Sequence, residues 1–151
     1  MLNLDPITLI SRLITLVIAL TVHEFSHAKV ADAFGDNTPR MNGRVTLNPL
    51  VHLDPFGSLM MVFAGFGWAK PVPVNPVLLG MRSPSAYMLV SLAGPLSNLM
   101  LAILASFLYG ISDEIHQAFV PMRSCDVFDA LFDLLGAVLG AGLFSLIRIT
   151  R

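Results

Sequence analysis

The sequence predicts an all-α integral membrane protein of about three transmembrane helices, with a small β-hairpin or re-entrant loop between the first and the second. Three observations carry this prediction. Of 151 residues, 55% are hydrophobic and 13% charged, with a mean hydropathy of +0.75, which does not describe a water-facing surface. Apolar runs long enough to cross a hydrocarbon core of about 30 Å recur along the chain. Between the first two of them, prolines, glycines and five of the nine basic residues gather in a stretch of different character.

Helix one is expected over about residues 7–34. Pro6 suits a first helical turn, Asp5 complements the helix dipole, and Gly35-Asp36 supplies a stop. No Lys or Arg precedes Arg12 and no small-residue cleavage pattern follows the apolar run, so this segment is not expected to be a removable signal peptide. Residues 36–85 read as a structured loop. Gly43-Arg44-Val45-Thr46-Leu47 alternates like a strand, and Lys70-Pro71-Val72-Pro73-Val74 reads as an extended edge segment whose proline-free edge is left to pair, so the two are expected to form a hairpin-like unit. The apolar piece from Gly57 to Gly67 is too short to span and is expected to be re-entrant or interfacial. Helix two is expected over 86–111, then a polar loop, then helix three over about 127–147 with Asp129 and Asp133 in its first two turns. The whole chain, 1–151, is expected to form one membrane-embedded domain.

Charge narrows the partners and the orientation. A net charge of −1 with scattered basic residues gives no footprint for nucleic acid. Cys125 stands alone, so it permits neither an internal disulfide nor a cysteine-rich metal cluster. Lys29, Arg40, Arg44, Lys70 and Arg82 fall in the 28–86 loop while Arg123 is the one basic residue of the 112–125 loop, so the large loop is expected on the cytoplasmic side and the N-terminus outside.

The chemistry concentrates at the end of helix one, in Thr21-Val22-His23-Glu24-Phe25-Ser26-His27. On a helix the two histidines of His-Glu-x-x-His lie one turn apart on one face, the spacing at which two imidazoles share a zinc ion while the glutamate acts as base toward an activated water. Ionisable groups at membrane depth are costly unless a metal or partner holds them, which favours the zinc reading in this setting. His23 and His27 are the expected ligands and Glu24 the expected catalytic base. Catalytic zinc ordinarily takes three protein ligands. The candidates for a third are His52, Asp54, Asp126, Asp129 and Asp133. With helix three entering from outside, Asp133 lies about 9 Å deep and His23 about 24 Å from that face, a gap that disfavours the aspartates of helix three. His52 and Asp54 lie on the matching side, where a His-x-Asp-Pro turn bonding its own loop is the alternative. Asn98, inside helix two, is a further candidate, for orienting substrate or for helix packing.

These residues resemble the site-2 protease family of intramembrane zinc metalloproteases, in particular its small prokaryotic members. The likeness rests on four blocks in order: Thr21 to Ala28, Gly43-Arg44-Val45-Thr46-Leu47-Asn48-Pro49 continuing to Gly57, Phe66 to Pro76 with Lys70-Pro71-Val72-Pro73-Val74-Asn75, and Ala93-Gly94-Pro95-Leu96-Ser97-Asn98. The resemblance implies hydrolysis of a peptide bond in or beside the transmembrane segment of a protein substrate, in a prokaryotic cell membrane, with Zn2+ on His23 and His27 and with Glu24 catalytic. It also implies a third ligand, the aspartate of a Leu-Asp-Gly motif after an Asn-Leu-Ile-Pro-like stretch. Phe144 to Arg151 is similar to that approach, with Ser145 for the asparagine and Arg148 for the proline, but no Leu-Asp-Gly occurs in the sequence. The alternative expectation is therefore a catalytically inactive or truncated relative that acts as a membrane binding or regulatory protein.

Overall fold

The computed structural model describes residues 5–64, 66–120 and 135–136, and it is mostly helical. By internal contacts the chain divides into two compact units, residues 1–98 and 99–151. Helix α1 (Pro6–Ala33) starts as its sequence dictates: the Asp5 carboxylate accepts from the backbone N–H of Thr8, and Pro6 occupies the first turn, where an amide is not needed. It ends at Phe34, one residue from the expected boundary, where the N–H of Gly35 turns back to the carbonyl of Asp32. Helix α6 (Ala86–Gln117) begins as expected but runs six residues past Ile111, through Ser112 to Gln117. The expected polar loop is helical there because nothing in that sequence stops a helix, and the Gln117 amide donates to the Asp113 carboxylate one turn back.

The connection between these two helices holds the main correction. Among the described residues there is no strand, and the expected hairpin of 43–47 with 70–74 is replaced by short helices: α2 (Thr38–Met41), α3 (Pro49–His52), α4 (Pro55–Ala64) and α5 (Pro76–Arg82). The one antiparallel bridge joins Leu53 to Ala69, where the Lys70 N–H donates to the His52 carbonyl. Local polar bonding wins over a ladder. Gly43 takes φ +66, which breaks an extended run, and the Arg44 N–H goes to the Pro39 carbonyl. The buried Arg44 guanidinium donates to the carbonyls of Val51 and Lys70, and Thr46 accepts with its hydroxyl from the Asn48 N–H and with its carbonyl from His52. The apolar 57–67 piece is largely α4, ten residues long, hence about 15 Å and short of a crossing.

Within the first unit, Ala31 of α1, Leu79 of α5, and Ala86 and Val90 of α6 form the buried core, with Val30, Phe34 and Val74 packed on it. Helices α2 and α3 lean on α1. Asp36, fully buried, fixes this junction: its carboxylate accepts from the backbone N–H groups of Thr38 (3.0 Å) and Asn75 (2.6 Å), and Asn75 in turn caps α5 through Val77 and Leu78. Helices α1 and α6 are long and apolar enough to cross a membrane. The expected third span, 127–147, lies outside the described residues except for 135–136, which are helical, and Cys125, Asp126, Asp129 and Asp133 lie outside them entirely.

Candidate metal centre

The His-Glu-x-x-His segment is helical, and α1 sets its two histidines on the face turned to α6. Their rings meet edge to face with centroids 4.7 Å apart and planes at 79°. The residues beside them spend no polar capacity on the site: the hydroxyls of Thr21 and Ser26 donate to the carbonyls one turn back, at Val17 and Val22.

Both Nε2 atoms converge on Gly94 of α6. A β-carbon at residue 94 would stand 2.6 Å from the Nε2 of His23 and closer still to that of His27, well inside contact distance. The two rings come this close to α6 because residue 94 has no side chain. Two imidazole Nε2 atoms brought together on one side of α6 are two of the donors that a zinc ion takes, at Zn–N bonds of about 2.0–2.1 Å.

The other ring nitrogens are held by α6 as well. His27 Nδ1 lies 2.6 Å from the Val90 carbonyl, and since a carbonyl only accepts, Nδ1 carries the proton and the neutral ring turns the lone pair of Nε2 toward Gly94. His23 Nδ1 lies 3.3 Å from the Asn98 side-chain amide, whose oxygen is buried with no hydrogen-bond partner. Four residues apart on one helix, Gly94 and Asn98 thus face the two histidines together. Beside the site, a cavity of about 280 Å³ is lined by Glu24 and His27 on one side and by Pro71, Val72 and Val74 on the other. Glu24 and the two histidines are half-buried, and Glu24 lines the cavity together with His27.

The other sequence candidates are engaged elsewhere. His52 is fully buried, with Nε2 on the Thr46 carbonyl at 2.8 Å. Asp54 caps α4, accepting from the Gly57 N–H at 2.8 Å. Both fit the turn that bonds its own loop. Among the described residues, no three of His, Cys, Asp and Glu come close enough together to hold a metal ion. Sequence reasoning placed Asn98 among the site candidates but assigned no role to Gly94 or to the Val90 carbonyl. The signal for Gly94 was its i, i+4 spacing from Asn98; a backbone carbonyl leaves none.

The fold and the site define a helical protein with two apolar helices of membrane-crossing length and a two-histidine centre at the end of the first. The chain belongs to the VanZ/LLP1 family, whose model matches residues 2–148. Among curated proteins it is 51% identical over 105 residues to the "Putative zinc metalloprotease YwhC" of Bacillus subtilis strain 168, covering 68% of this chain and 47% of that protein. It is 38% identical over 95 residues to the "Putative zinc metalloprotease Rip2" of Mycolicibacterium smegmatis, and 37% identical over 91 residues to that of Mycobacterium tuberculosis strain Erdman, covering in each case 58% of this chain and 35% of the relative. The chain thus spans between about a third and a half of the length of the relatives it matches. No solved structure matches.

Proposed function

We propose that this chain carries the zinc-histidine and general-base part of an intramembrane metalloendopeptidase of site-2 protease type, which hydrolyses peptide bonds in or near a substrate's transmembrane segment. The observation that carries the reading is the convergence of both Nε2 atoms on Gly94, with Glu24 and His27 together on the wall of the neighbouring cavity. The zinc metalloprotease names of the three relatives support it. In this reading His23 and His27 hold the metal, which supplies Lewis-acid activation of a water molecule. Glu24 would take a proton from the attacking water and pass it to the leaving amine as the water oxygen bonds the acyl carbon and the C–N bond breaks, so that the peptide is hydrolysed with no net change in the enzyme. The 71–74 segment, extended and outside any ladder, lines the cavity and is placed to hold an unwound stretch of substrate by strand addition. The basic residues of the 28–86 loop put that side of the site toward the cytoplasm.

The test is a cleavage assay with a transmembrane substrate, run alongside metal analysis. Glu24→Gln is expected to lose about 10²-fold or more in rate while its zinc content stays at the wild-type level. Equal rates for the two proteins remove Glu24 as the base. One observation favours a second reading, a membrane binding or regulatory protein without catalysis: the third ligand that catalytic zinc ordinarily takes does not come from the described residues. That reading expects no cleavage by wild type and no dependence of partner binding on Glu24.

A further inference from the structure

We infer that Asn98 is a positioning residue for the metal: it selects the tautomer of His23 that leaves Nε2 free to bind. The inference rests on the zinc reading of His23 and His27 and adds a residue to it. The two histidines differ in how their protons are fixed. His27 needs no help, because the Val90 carbonyl at 2.6 Å can only accept and so keeps the proton on Nδ1. His23 faces a side-chain amide at 3.3 Å, which can donate through Nδ2 or accept through Oδ1. As placed, Nδ2 is nearest, a geometry that suits a bare Nδ1 and a protonated Nε2. That tautomer aims an N–H toward Gly94, where the Nε2 of His27 also lies, and cannot bind a cation through that nitrogen.

Among the described residues nothing else holds the amide in that orientation. Its Oδ1 is buried and has no hydrogen-bond partner, so a half-turn about the side-chain torsion sacrifices only the bond to His23 and replaces it with the reverse one. After the turn Oδ1 accepts from Nδ1–H, and Nε2 presents its lone pair beside that of His27. Metal-ligating histidines generally donate their second ring N–H to an acceptor that fixes the ring and raises its basicity. Asn98 is the residue positioned to be that acceptor for His23, as Val90 is for His27.

The experiment is zinc affinity by chelator competition on the purified full chain, with wild type, His23→Ala, Asn98→Leu and Asn98→Asp compared. Asn98→Leu, which keeps the volume and removes the acceptor, is expected to bind zinc about 10- to 100-fold more weakly, whereas Asn98→Asp, an obligate acceptor when ionised, keeps the wild-type affinity. Wild-type affinity in Asn98→Leu overturns the inference, and so does an equal loss in both variants, which marks a packing role. Should Asn98→Leu fail to fold, 15N-histidine spectra of zinc-loaded wild type decide: a proton on His23 Nδ1 is expected, and a proton on Nε2 overturns the inference. Failure of the underlying reading looks different, because then wild type and His23→Ala bind zinc equally poorly and the role for Asn98 falls with it.

Discussion

Gly94 shows how much a single missing side chain decides. Its place on α6 is an ordinary helical position, and nothing in its backbone requires glycine; the requirement comes from α1, whose His23 and His27 occupy the volume a methyl would fill. Gly94→Ala is therefore expected to abolish stoichiometric zinc binding while leaving the helical content unchanged, checked by metal analysis and circular dichroism on the same sample. Retained zinc in a folded Gly94→Ala protein means the ion does not sit between these two nitrogens. The contrast with His52 is instructive, since both sites put a histidine in a buried place. His52 spends Nε2 on the Thr46 carbonyl and becomes part of a loop's internal bonding, whereas His23 and His27 meet side-chain or backbone partners with Nδ1 and turn Nε2 toward Gly94.

Among the elements, α5 and the junction it anchors carry the stability that positions the cavity wall. Asp36 ties the end of α1 to α2 and α5 through two backbone N–H groups. Burial raises its carboxyl's pKa, but the hydrogen bonds from Thr38 and Asn75 outweigh burial and hold it below the usual carboxylate value. Since the folded value lies below the unfolded one, the contribution to stability is present above about pH 3.8 and fades as the pH falls below that. Asp36→Asn turns an N–H toward an N–H and is expected to cost about 1–3 kcal/mol near neutral pH, with the gap from wild type closing in acid. Chemical unfolding of both proteins at pH 7 and pH 3 checks this. The neighbouring Asp32–Arg40 pair, at 2.6 Å but with Arg40 65% exposed, is expected to matter far less. The short helices here also show why alternation misled: Gly43, Arg44 and Thr46 bond locally, and the pairing register falls at Leu53 and Ala69 instead.

For the whole molecule the question is what solvent the long helices face. Ile7, Ile10, Ile14 and Ile18 make a stripe along α1, all between 48% and 77% exposed. Only 6% of the most apolar window of α1, and 17% of that of α6, is buried. The core helix of a water-soluble domain would be largely covered, so these surfaces suit lipid. The chain is expected to stay in the membrane pellet through extraction with alkaline carbonate, and its release into the supernatant would contradict the reading of α1 and α6 as spans.

The sequence by itself determined the two long helices, their starts, and the face on which His23 and His27 lie, because hydrophobic content, capping and the period of 3.6 act over a few neighbouring residues. It also singled out Asn98. The tertiary structure alone decided which candidates meet: that His52 and Asp54 serve their own loop, that Gly94 lets both imidazoles pack against α6, and that Val90 and Asn98 meet their second nitrogens. The physical reason is that the contacts of the two histidines with Val90, Gly94 and Asn98 join residues more than sixty positions apart, and the distance between α1 and α6 is set by packing of Ala31, Leu79, Ala86 and Val90 rather than by any local preference.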